Sequence, residues 1–140
     1  MLDSGAMSAE RRLTYVDSSA IVKLAVAEPE SAALRRHLSR RQPLVSSALA
    51  RTEVARALMP SGEAAVARGE DVLRRIQLLR VNDRVLRDAG RMRPDDLRSL
   101  DAIHLASARQ IGSSIRQIVT YDDRMARAAR AAGWSVAAPS

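Results

Sequence analysis

Short apolar runs alternate with longer stretches of helical periodicity along this 140-residue chain. In the longer stretches, apolar residues recur every three or four positions, as on the buried face of an α-helix. This alternation favours an α/β fold with a mainly parallel sheet, because a helix can return the chain to the start of the next parallel strand. We predict a central sheet of about five strands flanked by helices, with strands at residues 13–16, 44–46, 78–81, 117–121 and 134–137.

Capping and breaking residues separate the helical stretches. Ser18, Asn82 and Ser99 are predicted to cap the helices that follow them, while Gly112 and Gly133 are predicted to end the last two. Helices are predicted after Ser18, at residues 31–41, around Glu53, at 63–76, after Asn82, at 100–111 and at 124–132.

The length of the chain is that of a single domain, which we place at residues 13–137. Residues 1–12 form a polar amino-terminal lead, and either Met1 or Met7 could be the native start. No apolar run approaches the roughly 20 residues of a membrane span, and the start does not resemble a secretory signal. The sequence has no Cys. We therefore expect a cytoplasmic protein with no membrane partner.

Positive charge dominates the composition. Lys and Arg number 23 against 16 Asp and Glu, a formal net charge of +7, and Lys23 is the only Lys. Guanidinium groups bind phosphate bidentately, so this charge suits a nucleic-acid partner, although a solvated basic surface explains it equally well. With only Tyr15, Tyr121 and Trp134 as aromatic residues, a stacking platform for single-stranded bases is not expected.

Four acidic residues lie either directly after a predicted strand or on a predicted helix. Asp17 and Asp122 follow strand patterns, whereas Glu53 and Asp101 lie on helical faces that are otherwise apolar or small. Functional groups gather at the carboxyl ends of parallel strands, and carboxylates that converge there repel one another unless a cation lies between them. Oxygen ligands without Cys or paired His suit Mg²⁺ or Mn²⁺ better than zinc.

Some of the acids also have a simpler explanation. Negative charge is favourable at a helix amino terminus, so Asp101, Asp122 and Asp123 could be ordinary first-turn acids. His104 lies one helical turn after Asp101 and could contact the site, but a packed, hydrogen-bonded histidine is the simpler interpretation, as it is for His37. The joint pattern of four acids is therefore more specific than any one of them.

Four segments in order resemble the PIN-domain family, and within it the VapC-type ribonuclease toxins of bacterial toxin–antitoxin pairs. They are Tyr-Val-Asp-Ser-Ser-Ala-Ile at 15–21, Thr-Glu-Val-Ala-Arg-Ala-Leu at 52–58, Leu-Asp-Ala-Ile-His-Leu-Ala-Ser-Ala at 100–108 and Val-Thr-Tyr-Asp-Asp-Arg-Met at 119–125. The resemblance covers residues 13–136.

The resemblance implies a parallel sheet with helices on both faces and an acidic pocket that binds one or two Mg²⁺ or Mn²⁺ ions. Carried over to this chain, the pocket acids are Asp17, Glu53, Asp101 and Asp122. Thr120 matches a polar position that orients substrate or water, and Asp123 is either a further ligand or a helix cap. Ser18 or Ser19 could hydrogen-bond near the metal.

The implied activity is endoribonuclease cleavage of RNA, in which a metal-activated water attacks the phosphate. Arg51, Arg56 and Arg98 are candidates to draw in the RNA backbone, because they are near pocket residues in sequence. The resemblance also implies a homodimer and a cognate VapB-type antitoxin, with the helices at 31–41 and 63–76 as expected contacts. Simple packing of these helices on the sheet is the alternative.

Three other kinds of protein share some of these features with the VapC-type ribonucleases. A response-regulator receiver domain needs adjacent acids after its first strand and a late Lys, and a haloacid-dehalogenase-like phosphatase needs an Asp where Ser19 stands. Both fit poorly. A catalytically silent PIN-like protein that binds nucleic acid or acts as a scaffold remains the alternative to the enzyme, although it would not need all four acids.

Overall fold

The computed structural model describes residues 12–140. All of the predicted polar lead except Arg12 lies outside these residues. Across the described part of the chain, no helix combines the length and the apolar character needed to cross a bilayer.

Five parallel strands form one sheet, which confirms the predicted fold class. Their order across the sheet is β3-β2-β1-β4-β5. The first strand therefore lies in the middle, with the second and fourth on either side of it. The strands are β1 (Leu13–Val16), β2 (Leu44–Ser47), β3 (Gln77–Leu79), β4 (Ile115–Val119) and β5 (Val136–Ala137).

Seven α-helices connect the strands of the described chain. They are α1 (Ser18–Ala25), α2 (Ser31–Ser39), α3 (Ala50–Leu58), α4 (Glu63–Leu73), α5 (Asp83–Gly90), α6 (Ser99–Ile111) and α7 (Asp123–Ala131). Short 3₁₀ turns at Met59–Ser61 and Gly112–Ser114 follow α3 and α6.

The two faces of the sheet carry separate apolar cores, because successive side chains of a strand point to opposite faces. Val16 contributes to one core together with Ile21, Leu34 and Leu58 from α1, α2 and α3. Its neighbour Tyr15 contributes to the other core, which is built largely from α6 and α7. Helices therefore cover both faces of the sheet, as the family resemblance implied.

β3 and β4 lie one or two residues earlier in the sequence than predicted. β4 ends at Val119 rather than residue 121, because Thr120 and Tyr121 lead directly into the cap of α7 at Asp122. β3 ends at Leu79 rather than residue 81, since Arg80 and Val81 leave the sheet toward the cap Asn82.

Two predicted helix caps are wrong. Asp17, not Ser18, is the N-cap of α1, and its side chain accepts a hydrogen bond from the Ala20 backbone N–H. Arg98 occupies the N-cap position of α6 and makes no side-chain capping bond, so Ser99 is the first helical residue. Helix α4 ends at Leu73 rather than residue 76, whereas Asn82 caps α5 as predicted.

The register of the central strands brings two candidate residues together. Val16 at the end of β1 pairs with Val119 at the end of β4. Asp17 and Thr120, the next residue in each case, therefore emerge side by side at the carboxyl edge of the sheet.

Candidate active site

Asp17, Thr120 and Asp122 form one hydrogen-bonded unit at this edge. The Thr120 hydroxyl donates to Oδ2 of Asp17 over 2.5 Å and accepts the Asp122 backbone N–H over 3.0 Å. Asp122 in turn caps α7, with its Oδ1 accepting from the Met125 N–H at 3.0 Å. Thr120 is 1% exposed, so its hydroxyl positions the two acids and does not face solvent.

Both oxygens of Asp17 are engaged. Oδ1 accepts from the Ser19 hydroxyl at 2.6 Å and from the Ala20 N–H at 3.1 Å, and the side chain as a whole is almost fully buried. Burial raises the pKa of Asp17, and the hydrogen bonds from Ser19 and Thr120 offset only part of that effect. The carboxyl group is therefore fixed in orientation but costly to ionise without further positive charge.

Glu53 reaches the same region from α3. Its Oε1 accepts from the Ser18 hydroxyl at 2.5 Å and lies 2.7 Å from Nε2 of His104. Burial opposes ionisation, but the hydrogen bonds from His104 and Ser18 and the charge of His104 outweigh it, so the pKa of Glu53 is lowered. Glu53 is thus held as a carboxylate, and its contacts with Ser18 and His104 are both made through Oε1.

A buried chain of contacts fixes His104 behind Glu53. The Tyr15 hydroxyl lies 2.7 Å from Nδ1 of His104, and the two rings meet edge to face with centroids 5.8 Å apart. Nδ1 of His104 thus faces the Tyr15 hydroxyl and Nε2 faces the Glu53 carboxylate, so both ring nitrogens have a partner. His104 is 2% exposed and lies between a core tyrosine and a site carboxylate.

Asp101 carries the most distinctive oxygen of the site. It lies in the first turn of α6 and is partly buried, and its Oδ2 has no hydrogen-bond partner within residues 12–140. Burial and the negative charges of Asp122, Asp17 and Glu53 together raise the pKa of Asp101 to about 6, while the charge of His104 opposes them. The four predicted acids therefore lie close enough to interact, and Asp101 is affected by all three others.

The donor set fits a hard divalent cation. A buried carboxylate oxygen without a partner, surrounded by other carboxylates, is stabilised by a positive ion. The side chains do not close around such an ion as they stand, since no three Asp, Glu or His groups between residues 12 and 140 form a ready-made metal site. The match to a divalent cation therefore rests on the carboxylate oxygens around Asp101 and not on a preformed coordination geometry.

Asp122 and Asp123 differ in their surroundings. Asp122 is partly buried, caps α7 and raises the pKa of Asp101, whereas Asp123 is exposed on the first turn of the helix. The geometry favours Asp122 as the pocket acid. The predicted RNA-contacting residues Arg51, Arg56 and Arg98 are all exposed, and their role stays a prediction.

The contacts that hold Glu53 were only partly predictable from the sequence. His104 is packed and hydrogen-bonded as predicted, but one of its partners is a site acid. The sequence pattern favours Ser18 mainly as a helix cap and indicates no site role for Tyr15. The three-residue spacing of Asp101 and His104 on one helix was the available signal for His104, since such residues share a face. His37, far from this network in sequence, contacts Gln117 through its Nε2 over 2.6 Å.

The known proteins that this chain resembles are of one kind. The PIN domain family matches residues 14–131. Ribonuclease VapC46 of Mycobacterium tuberculosis is 58% identical over 126 residues, which span 90% of this chain and 97% of that protein. Ribonuclease VapC35 of the same species is 39% identical over 132 residues, covering 91% of this chain and 97% of the relative.

A solved structure shares the fold. The crystal structure of M. tuberculosis VapC20, described as a sarcin-ricin loop cleaving toxin, superimposes with a TM-score of 0.72 at 22% identity, covering 90% of this chain and 99% of VapC20. The family match over most of the chain, together with the near-complete alignment to VapC46, establishes the relationship. The chain belongs to the PIN-domain family, alongside the VapC ribonucleases.

Proposed function

We propose that this protein is a Mg²⁺- or Mn²⁺-dependent endoribonuclease and the toxin of a VapBC-type toxin–antitoxin pair. The observation that carries the proposal is Oδ2 of Asp101, which has no hydrogen-bond partner in the described part of the chain and belongs to a side chain partly buried among three other carboxylates. Relatives that align over nearly their whole length are named ribonucleases, which supports the activity.

The proposed ligands are Asp17, Asp101 and Asp122. Each carboxylate oxygen has two lone pairs, so Oδ2 of Asp17 can accept from Thr120 and still face a cation. The Thr120 hydroxyl, which contacts Asp17 and the Asp122 backbone, would hold these two acids in fixed relative positions. Asp123 is exposed and is not needed in this set.

Glu53 is proposed to hold the attacking water or to act as a further ligand. His104 and Ser18 both contact its Oε1, which leaves Oε2 as the oxygen available to the site. A divalent cation at the pocket would supply Lewis-acid polarisation of the phosphate and a bound water of lowered pKa. The water held near Glu53 would attack phosphorus in RNA, with the other carboxylates fixing its direction. As the new P–O bond forms, the P–O bond to the leaving ribose oxygen breaks; the attacking water loses a proton to solvent and the leaving oxygen gains one from solvent.

The remaining parts of the proposal concern partners. RNA is the proposed substrate, and the net charge of +7 favours its approach. A VapB-type antitoxin is the proposed cognate inhibitor, with α2 and α4 as contact helices, and the toxin is proposed to be a homodimer acting in the cytoplasm.

Total RNA incubated with the protein tests the activity. We expect cleavage with Mg²⁺ or Mn²⁺, and a loss of at least about 100-fold with EDTA, with Asp17→Asn or with Asp101→Asn. Cleavage of equal strength in all these conditions would contradict the proposal.

The catalytically silent alternative makes a different prediction. A ligand that binds only the folded state raises its stability. A silent PIN-like protein that has lost its metal site would show no rise in Tm with Mn²⁺, whereas the proposed enzyme would show one that Asp101→Asn abolishes.

A further inference from the structure

An arginine-rich groove lies on the helices that carry Asp101 and Asp122 at their amino-terminal ends. It has a volume of about 640 Å³ and runs between the loop at residues 91–97 and the helices α6 and α7. Five exposed arginines line it, against the single acid Asp96: Arg91, Arg93, Arg109, Arg124 and Arg127. We call this surface the arginine groove.

Most of this positive charge is not neutralised internally. Within residues 12–140, Arg93 is the only one of the five in an ion pair, with Asp95. Arg109 instead contacts the sulfur of Met92 over 3.3 Å. Because a thioether sulfur is only a weak, uncharged acceptor, Arg109 remains available to an anionic ligand together with Arg91, Arg124 and Arg127.

The floor of the groove is apolar. Met92 and Leu97 from the loop and Ala128 from α7 all line it. Small and aliphatic side chains leave the guanidinium groups as the chief polar contacts, and with no aromatic side chain on its walls the groove is not built to stack bases. Its chemistry suits a backbone of repeated negative charges.

The arginine groove shares two helices with the acidic site, since α6 carries Asp101 in its first turn and Asp122 caps α7. Leu97 is four residues before Asp101, and Arg124 is two residues after Asp122. With a rise of roughly 1.5 Å per residue, Arg127 lies about 8 Å along the helix axis from Asp122. The groove therefore extends along α7 away from the acids.

We propose that the arginine groove binds the phosphodiester backbone of single-stranded RNA that extends from the cleavage position. This inference rests on the proposed function, since it uses the same substrate. The position of the groove on the two helices that begin at Asp101 and Asp122 favours a substrate strand over an acidic peptide. Contacts of this kind hold the strand without reading its bases, because phosphates are the same in every sequence.

The test pairs two double variants of equal charge. Arg109→Gln with Arg127→Gln removes two charges from the arginine groove. Arg36→Gln with Arg40→Gln removes two exposed charges at α2, which covers the other core. Cleavage of a fluorogenic RNA is measured with Mn²⁺ at several salt concentrations, and circular dichroism checks that the variants are folded.

We expect the groove variant to raise KM by about tenfold while kcat changes less than about twofold, because binding is lost and the acids are untouched. The slope of log affinity against log salt should fall by about 1.4, at ~0.7 for each lost phosphate contact. The α2 variant should change neither. Equal KM values and slopes for the two variants would overturn the proposal.

Direct binding separates this proposal from the proposed function. Fluorescence anisotropy of labelled RNA is measured in an Asp101→Asn background, with poly-glutamate as competitor. Weaker RNA binding by the groove variant alone supports the groove even if the wild type cleaves nothing, in which case only the proposed function fails. If the groove substitutions weaken poly-glutamate binding and leave RNA binding unchanged, the groove docks an acidic protein segment and the RNA proposal is wrong. Replacing Arg109 and Arg127 with Lys keeps the charge and should restore most of the RNA affinity.

Discussion

Asp101 lies in surroundings that disfavour its charged form. Its Oδ2 is buried and has no hydrogen-bond partner among residues 12–140, and three neighbouring carboxylates act against its ionisation. A purely structural acid at a helix amino terminus would be stabilising and needs no such crowding. The strain is understandable if a cation normally offsets it.

Asp101 makes stability depend on pH when metal is absent. Its pKa in the folded state is about 6 against an ordinary value of 3.8, so the folded state holds the proton more tightly. The stabilising contribution of the protonated form is therefore complete below about pH 4 and is lost as pH rises through 6. In EDTA, the free energy of unfolding of the wild type relative to Asp101→Asn should fall between pH 4 and pH 7.

Urea denaturation of both proteins at each pH measures this difference. Saturating Mn²⁺ should reduce the fall, since it compensates the ionised carboxylate. A difference that is constant with pH, or that rises, would contradict the assigned surroundings of Asp101.

His104 is expected to act through Glu53. In His104→Gln, the side-chain amide can still donate to Glu53, so kcat should stay within about tenfold of the wild type. In His104→Leu, the donor is lost, and kcat should fall by a further 10- to 100-fold, roughly the cost of removing a supporting hydrogen bond at a metal site. Steady-state cleavage kinetics distinguish the two, and equal kcat values would show that His104 only fills space.

At the scale of elements, the strand ends and helix starts decide the positions of the acids. The sequence pattern predicted all five strands, but it did not predict where β4 turns into the cap of α7. That boundary depends on the Thr120 hydroxyl, which links Asp17 to the Asp122 backbone. A contact between residues 103 positions apart is invisible to local periodicity.

The two adjacent acids of α7 should respond differently to substitution. Asparagine is as good an N-cap as aspartate, so Asp122→Asn should keep the helix while removing a charge beside Asp101. We expect cleavage to fall by about 100-fold or more in Asp122→Asn and by less than about threefold in Asp123→Asn. The same cleavage assay measures both, and a larger loss for Asp123→Asn would reverse their assignment.

Helices α3 and α4 pack closely through Gly69. A Cβ added at this position would lie 2.6 Å from Cδ1 of Leu58 and 3.1 Å from Cγ1 of Val54, two buried side chains on the helix that carries Glu53. Gly69→Ala should destabilise the protein by about 1 kcal/mol, because overpacking of 1–3 kcal/mol exceeds the gain in helix propensity of up to ~1 kcal/mol.

Gly90→Ala is the matched control. A Cβ at Gly90 meets nothing within 4 Å, so only the helix propensity changes and stability should stay equal or rise. Chemical denaturation compares the two variants. A Gly69→Ala protein as stable as the wild type would show that α3 and α4 can move apart.

For the whole molecule, the resemblance of four ordered segments was enough to predict the fold and the convergence of four acids. The parallel topology brings these segments to one edge of the sheet, even though they are far apart in sequence. The supporting contacts could not be predicted, because Tyr15–His104 and Ser18–Glu53 depend on how helices pack across the sheet. The arginine groove was missed for the same reason, since it joins a loop to two helices.

The most direct measurement is a Mn²⁺ titration in which RNA cleavage and thermal stability are followed on the same preparation. If the acids form the catalytic metal site, cleavage and Tm should rise with the same half-saturating Mn²⁺ concentration, and Asp101→Asn should abolish both responses. Cleavage that persists in Asp101→Asn, or that saturates without any change in Tm, would contradict the account.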